Sequence, residues 1–330
     1  MSPAEDPVLQ AEREDCGYSS RRQFLKKSAL FIASTGVAGC EISRSSSEYI
    51  IDIHQHVGYS GRAEEFLLEH QRNMGISRTI LLPAGRPRNS ASTHEGVSNG
   101  LEAKCLGNEA CYRFSLLHPG GYAFGANEVP DAPDALKEIE KYLELGAVVL
   151  GEQKFGIECD SPEMQGIYQL AADFNVPVLM HWQFERYNYG FDRFHRMLAK
   201  YSRTRFIGHA QTWWAHIDKA YRDDAANLYP TGPITPGGLT DRYLTDYPNM
   251  FGDLSAGSGL NALTRDEEHA RAFIERHQDK LLYGSDCNDP SGFPTGCQGA
   301  QTISAIKRLV PGGRIRSKLF HQNARRLLKI

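Results

Sequence analysis

No stretch of the 330-residue chain approaches 18 consecutive apolar residues, so nothing in it reads as a span of a bilayer. Positive charge is not in excess. Lys and Arg number 37 against 40 Asp and Glu, a net charge of −3, which excludes a basic nucleic-acid footprint over the whole protein. There is no CxxC pair, so a cysteine-built zinc site is not expected. No GxGxxG follows the first apolar run, which argues against a dinucleotide-binding sheet, and no internal repeat is visible. The composition that remains, 41% hydrophobic and 23% charged, excludes wholesale disorder and a coiled coil. It describes a globular body large enough to bury a full core.

The N-terminal region reads as an address. Ser20-Arg21-Arg22-Gln23-Phe24-Leu25-Lys26-Lys27 precedes a moderately apolar stretch from Ala29 to Gly39 that ends at Cys40. A basic region, an apolar region of about a dozen residues and small residues at its end predict an export signal, and the paired arginines mark the twin-arginine type. Val37-Ala38-Gly39-Cys40 resembles a lipobox, in which Cys40 would become the acylated N-terminus and tether the protein to a membrane. The expected map is a signal over 1–40, a polar tether over 41–48 and one catalytic domain over 49–330, with the protein periplasmic or membrane-anchored. Five cysteines follow the leader: Cys105, Cys111, Cys159, Cys287 and Cys297. An oxidising compartment allows Cys105 with Cys111, or Cys287 with Cys297, without fixing either pair.

Eight short apolar runs punctuate the domain: Tyr49–Ile53, Thr79–Pro83, Tyr112–Leu117, Ala147–Gln153, Pro177–Met180, Arg205–Gly208, Met250–Leu254 and Lys280–Gly284. Most lack alternation, the pattern of strands covered on both faces. Helical spacing lies between them. Leu136, Ile139 and Leu143 share one face; Ile167, Leu170, Ala171 and Phe174 share another, in a helix opened by Ser161 and Pro162. Thr264 and Glu267 read as a capping box. Eightfold strand–helix alternation predicts an α/β fold, a (β/α)8 TIM barrel. Inserts over 86–110, 211–249 and 287–297 all follow strands and fall at the C-terminal mouth, where barrel active sites form.

Histidines fall at the strand ends. Asp52-Ile53-His54-Gln55-His56 closes the first run, and side chains two apart on a strand point the same way. His181 ends the fifth run, His209 the sixth, and Asp286 follows the eighth; the fourth ends in Gly151-Glu152-Gln153-Lys154. Neutral imidazoles with a carboxylate suit a borderline divalent ion, zinc first, with an open coordination position.

The order His54-x-His56, His181, His209, Asp286 resembles the amidohydrolase-related family of barrel metal-dependent hydrolases. Val176-Pro177-Val178-Leu179-Met180-His181 and Leu281-Leu282-Tyr283-Gly284-Ser285-Asp286 are similar to that family's fifth- and eighth-strand signatures. The resemblance implies that His54, His56, His181 and Asp286 hold one divalent ion, with Asp286 also handling a proton of water. Glu152 resembles the strand-four glutamate of TatD-type deoxyribonucleases; with His209 it would complete a binuclear site, whereas the resemblance to one-metal relatives implies that His209 donates a proton or stabilises the transition state. Lys154 would neutralise Glu152 or pair with a substrate carboxylate.

Arg86, Lys154, Trp182, Gln183, Arg186 and Trp213 are the expected substrate-facing residues, joined by Tyr187, Gln211 and Trp214; indoles would wall a flat or cyclic small molecule and an arginine would clamp its carboxylate. The leading expectation is hydrolysis of an amide, lactone or ester. A metal-dependent decarboxylase or hydratase of the same family is the alternative. A non-catalytic, surface-tethered binding lipoprotein is the second alternative. A nuclease lacks a basic surface for a phosphate backbone, so no nucleic acid is expected as a partner.

Overall fold

A computed structural model of the protein describes residues 48–86, 100–101 and 104–330. The twin-arginine segment, Cys40 and the tether as far as Ser47 lie outside the described residues, as do 87–99 and 102–103 of the first insert. No helix among the described residues is long and apolar enough to cross a membrane.

Eight parallel strands run in chain order: β1 (Ile51–Gln55), β2 (Arg78–Leu81), β3 (Tyr122–Phe124), β4 (Leu150–Gln153), β5 (Val178–His181), β6 (Phe206–His209), β7 (Met250–Asp253) and β8 (Leu281–Leu282). Regular ladders join β1 to β3 and β4 to β8. A few backbone bonds outside the regular ladders close the two gaps. Ala126 pairs with Leu150 between β3 and β4. Ile53 N donates to Tyr283 O at 3.2 Å and Asp286 N to His54 O at 2.8 Å between β8 and β1. The result is the expected (β/α)8 barrel.

Inside the barrel, Ile51, Ile53, Ile80, Leu82, Val149, Leu179, Ile207, Phe251 and Leu282 form one apolar cluster. It is sealed by Leu327 and Leu328 of the C-terminal helix α12 (Asn323–Leu328). The other helices are α1 (Glu64–Asn73), α2 (Asn108–Leu117), α3 (Ala135–Glu144), α4 (Pro162–Phe174), α5 (His195–Lys200), α6 (Gln211–Ala215), α7 (Leu239–Asp246), α8 (Ala256–Thr264), α9 (Glu267–His277), α10 (Gln298–Leu309) and α11 (Gly313–Ser317). They cover the outer faces of the strands, so both faces are buried and alternation disappears from the sequence.

Two local expectations are corrected. The run Tyr112–Leu117 is helix α2, and the third strand is Tyr122–Phe124. Cys111 and Phe114 face the core while Leu116 and Leu117 are exposed, a helical period that a six-residue apolar run disguises. The cap of α9 is Asp266, whose carboxylate accepts from His269 N at 3.1 Å. Thr264 instead turns its hydroxyl back to Leu260 O within α8. At α4 the expected start holds: Ser161 Oγ accepts from Met164 N and Pro162 occupies the first turn.

Candidate metal centre

The strand period builds the site. Leu179, Ile207 and Phe251 fill the barrel axis. Two residues further up the same strands, His181, His209 and Asp253 point the same way at the open end. β1 and β4 reach it differently: the pairing of each slips between its first and last rungs, at Asp52–Gln55 and Leu150–Gln153. Such irregularities re-aim side chains, and here they present His54, His56 and Glu152. Gly208 is required beneath His209, because a Cβ there would lie 2.4 Å from the Trp213 ring. Asp286 and Ala210 hold positive φ, 40° and 80°, a conformation that costs a non-glycine residue about 1–3 kcal/mol and clusters at functional sites.

At the mouth the side chains converge. His54 Nε2 lies 3.2 Å from His56 Nε2 and 3.4 Å from Glu152 Oε2. Asp286 Oδ1 is 3.4 Å from His56 Nε2, and Asp286 Oδ2 is 3.5 Å from His209 Nε2. Donor atoms of His54, His56 and Asp286 all lie within 4.8 Å of one another, and so do those of His54, Glu152 and His209; the two sets share His54. The side chains of His54, His56, Glu152, His181, His209 and Asp253 are at most 3% exposed.

The outer contacts decide which ring nitrogens face inward. His56 Nδ1 lies 2.7 Å from Leu82 O, a carbonyl that can only accept, so Nδ1 carries the proton. His54 Nδ1 donates to Asp253 Oδ2 at 2.7 Å. Ser255 gives its one proton to the same Oδ2, so its oxygen accepts from His209 Nδ1 at 3.0 Å. Three Nε2 atoms therefore turn toward one point, each with its far side fixed, the usual support of a metal-ligating histidine. His209 Nε2 and Asp286 Oδ1 are buried without a hydrogen-bond partner. Bare donors gathered this way fit a cation.

Without one, protons balance the charge. Although burial opposes it, the carboxylates of Asp286, Asp253 and Glu152 raise His54 well above the usual imidazole range. His56 is pushed up to about 9, against its burial, by neighbours that include Cys105 and Asp286. Burial works against the Asp286 carboxylate too, yet His54, His209 and His56 hold it well below its ordinary value. Burial, then the Lys154 ammonium, push His181 down to about 4.

The expected residues do not all arrive together. His181 hydrogen-bonds Glu152 through Nδ1, while its Nε2 lies 3.4 Å from Gln183 Oε1, outside both converging sets. Lys154 stands beside Glu152 and 5.7 Å from the Tyr187 ring centroid. Trp213 is corrected from substrate wall to core: it is fully buried and lies edge-on to Phe191. Trp214 is likewise buried and donates to Asp253 O. Trp182 is fully buried between Phe191 and Phe194. Arg86 is bound to Glu128 and Asp134, so its charge is taken up by acids of this chain. Arg186 is exposed on the turn after β5. Gln183 borders a cavity of about 270 Å³ with Phe184, Asn188 and Thr212.

Sequence reasoning missed Asp253, Ser255, Tyr59 and Cys105. Asp253 anchors His54 and neighbours His209. The Tyr59 ring packs 4.8 Å from His56, and the Cys105 thiol comes within reach of the same imidazole. All five described cysteines are free, so neither of the two pairings that the sequence allowed is formed. The signal for Asp253 was present, two residues beyond the inward-facing Phe251.

No family model and no curated protein matches the chain. Solved structures do. An uncharacterized TIM-barrel protein from Bordetella bronchiseptica is 15% identical, with a TM-score of 0.58 over 85% of this chain and 98% of its own. A probable 2-pyrone-4,6-dicarboxylic acid hydrolase from Acinetobacter baumannii is 14% identical, TM-score 0.54, over 85% and 99%. A 2,6-dihydroxybenzoate decarboxylase from Rhizobium is 14% identical, TM-score 0.53, over 86% and 99%. These likenesses establish the barrel fold.

Proposed function

We propose that the chain is a metal-dependent enzyme of the amidohydrolase superfamily that cleaves an amide, lactone or ester in a small carboxylated substrate. The observation that carries this reading is the convergence of His54, His56, Glu152, His209 and Asp286 on one point at the barrel mouth, with inward donors left bare. His54, His56 and Asp286 would hold a divalent ion, zinc by its donor set, with Glu152 and His209 completing a place for a second. Such an ion lowers the pKa of a water to about 7 and polarises a carbonyl.

The protein's own groups do the rest. Asp286 stays ionised through its imidazole neighbours, and its unpartnered Oδ1 accepts the proton of the attacking water. His209 is raised above the usual imidazole range despite burial and the nearby His54, with Asp253 and Asp286 outweighing both. With a single ion bound, His209 would stay off the metal, its Nδ1 tied to Ser255 and its Nε2 placed to pass a proton to a leaving group. His181 orients Glu152. Lys154, beside Glu152, would pair with a substrate carboxylate.

Lys154 also favours a second reading, decarboxylation of an aromatic acid, since a mouth ammonium would bind the carboxylate to be lost. The hydrolase and the decarboxylase among the structural neighbours described above are named for carboxylated compounds. Zinc- or manganese-loaded protein offered lactones such as 2-pyrone-4,6-dicarboxylate, and separately hydroxybenzoates, tests the choice. Proton release with ring opening supports hydrolysis; carbon dioxide release supports the lyase. Inactivity on every carbonyl and aryl-acid substrate, with metal bound, counts against both and for the tethered binding protein. We also propose twin-arginine export with a lipid on Cys40. Arg21→Lys with Arg22→Lys should strand precursor in the cytoplasm, and labelled fatty acid should vanish with Cys40→Ala; normal export or an unlabelled parent would contradict each in turn.

A further inference from the structure

We propose that His70, Cys287 and Cys297 form a second metal site, which takes one soft, thiophilic cation and fastens the loop after β8 to helix α1. The donors come from three places: His70 from α1, Cys287 from the start of the loop and Cys297 from the N-cap of α10. His70 and Cys297 are 227 residues apart in the chain, yet Nε2 and Sγ lie 3.2 Å apart. The three donor atoms are all within 4.8 Å of one another and all three residues are buried. A fourth soft donor stands by: Met74 Sδ, at the end of α1, is 3.4 Å from Cys297 Sγ. Two thiols, an imidazole and a thioether select zinc or copper(I) over the hard ions that oxygen ligands prefer.

The surroundings suit an ion that staples. Asn73 Nδ2 donates to Ser291 O at 2.8 Å. Gly292, with φ of 74°, passes so close to α1 that a Cβ would lie 2.4 Å from His70 O. Gln71 Nε2 is 3.4 Å from His70 Nδ1, too long to pin the ring proton on Nε2, which must be bare to ligate. The loop also matters to the mouth: Cys287 follows Asp286 directly, and its carbonyl accepts from Gln55 Nε2 and Arg62 Nη1, both at 2.9 Å. An ion here would hold Asp286 in register without touching the catalytic donors.

Cadmium(II) titrated into the reduced full-length protein is the probe, because its thiolate charge-transfer absorption reports sulfur ligands and is silent for the imidazole–carboxylate centre. The proposal expects a band whose final amplitude corresponds to one dithiolate-bound ion per chain and that is displaced by copper(I). It should be lost in Cys287→Ser and Cys297→Ser, weakened in His70→Asn, and unchanged in Cys105→Ser and Asp286→Asn. Protease cutting within 287–297 should slow when the ion is bound, a readout that needs no variant to fold. Four results would overturn it: no band, a band that survives Cys287→Ser, a band that depends on Cys105, or protein purified without reductant carrying a Cys287–Cys297 disulfide that excludes the ion.

Discussion

The two ends of the barrel interior are built by the same strands to opposite purposes. At the lower end Ile51, Ile80, Leu179, Ile207 and Leu282 meet the underside formed by Leu327 and Leu328 in one apolar cluster. At the upper end, one pleat further on, the same strands carry His181, His209 and Asp253, with His54, His56, Glu152 and Asp286 beside them. The lower end is stabilised by area removed from water, about 25 cal/mol per Å². The upper end buries charges that stabilise nothing until paired. A single two-residue step separates the part that folds the protein from the part that would act.

That division can be broken from either side. The largest effect should come from Asp286→Asn or His54→Ala: activity falls to that of chelator-treated protein and metal is lost, while circular dichroism and melting stay near those of the parent. Retained metal and turnover would dissolve the distinction. Next, Leu179→Ala or Ile207→Ala should cost about 2–5 kcal/mol of stability, read by denaturant unfolding, with metal per folded chain unchanged. Metal loss in the folded fraction would show that the two ends are not separable. Asp253→Asn should lower metal affinity or activity by roughly 10–100-fold, since it removes the carboxylate charge behind His54 Nδ1 and leaves every donor in place. A null effect would demote Asp253 to a bystander.

A smaller, signed effect concerns protons. His56 at about 9 is protonated at neutral pH in the ion-free protein and must give up its proton to ligate. Metal binding should therefore release protons, and affinity should rise with pH until His56 is already neutral. Calorimetry in buffers of different ionisation enthalpy measures the release; none would contradict the ligand role of His56. Smallest of all, Ser161→Ala should cost about 1 kcal/mol through the lost cap of α4 and leave metal and activity alone.

The pattern of what was legible follows the same division. His54, His56, Glu152, His181, His209 and Asp286 could be picked out because strand ends recur on a fixed period, and a repeated position is visible even when each residue alone is not. Asp253 obeyed the same period but, as a lone carboxylate after Gly252, offered nothing to repeat. The third strand was misplaced because Tyr122–Phe124 is three residues long, shorter than the apolar run that precedes it in α2. The tryptophans misled for a physical reason: bulky rings just after a strand serve a mouth or a core equally well. Only Gly208, which makes room for Trp213, tells which. Cys287 and Cys297 were seen as a pair; His70, contributed from α1, emerged only in three dimensions.

The most direct test of the central claim is elemental analysis of the protein purified without chelator, with Asp286→Asn and a Cys287→Ser/Cys297→Ser double variant alongside. The account predicts at least one divalent ion per chain that disappears with Asp286→Asn and persists in the double variant. Metal content that ignores Asp286, or no metal in the parent under conditions where it is folded, would contradict a metal centre at the barrel mouth.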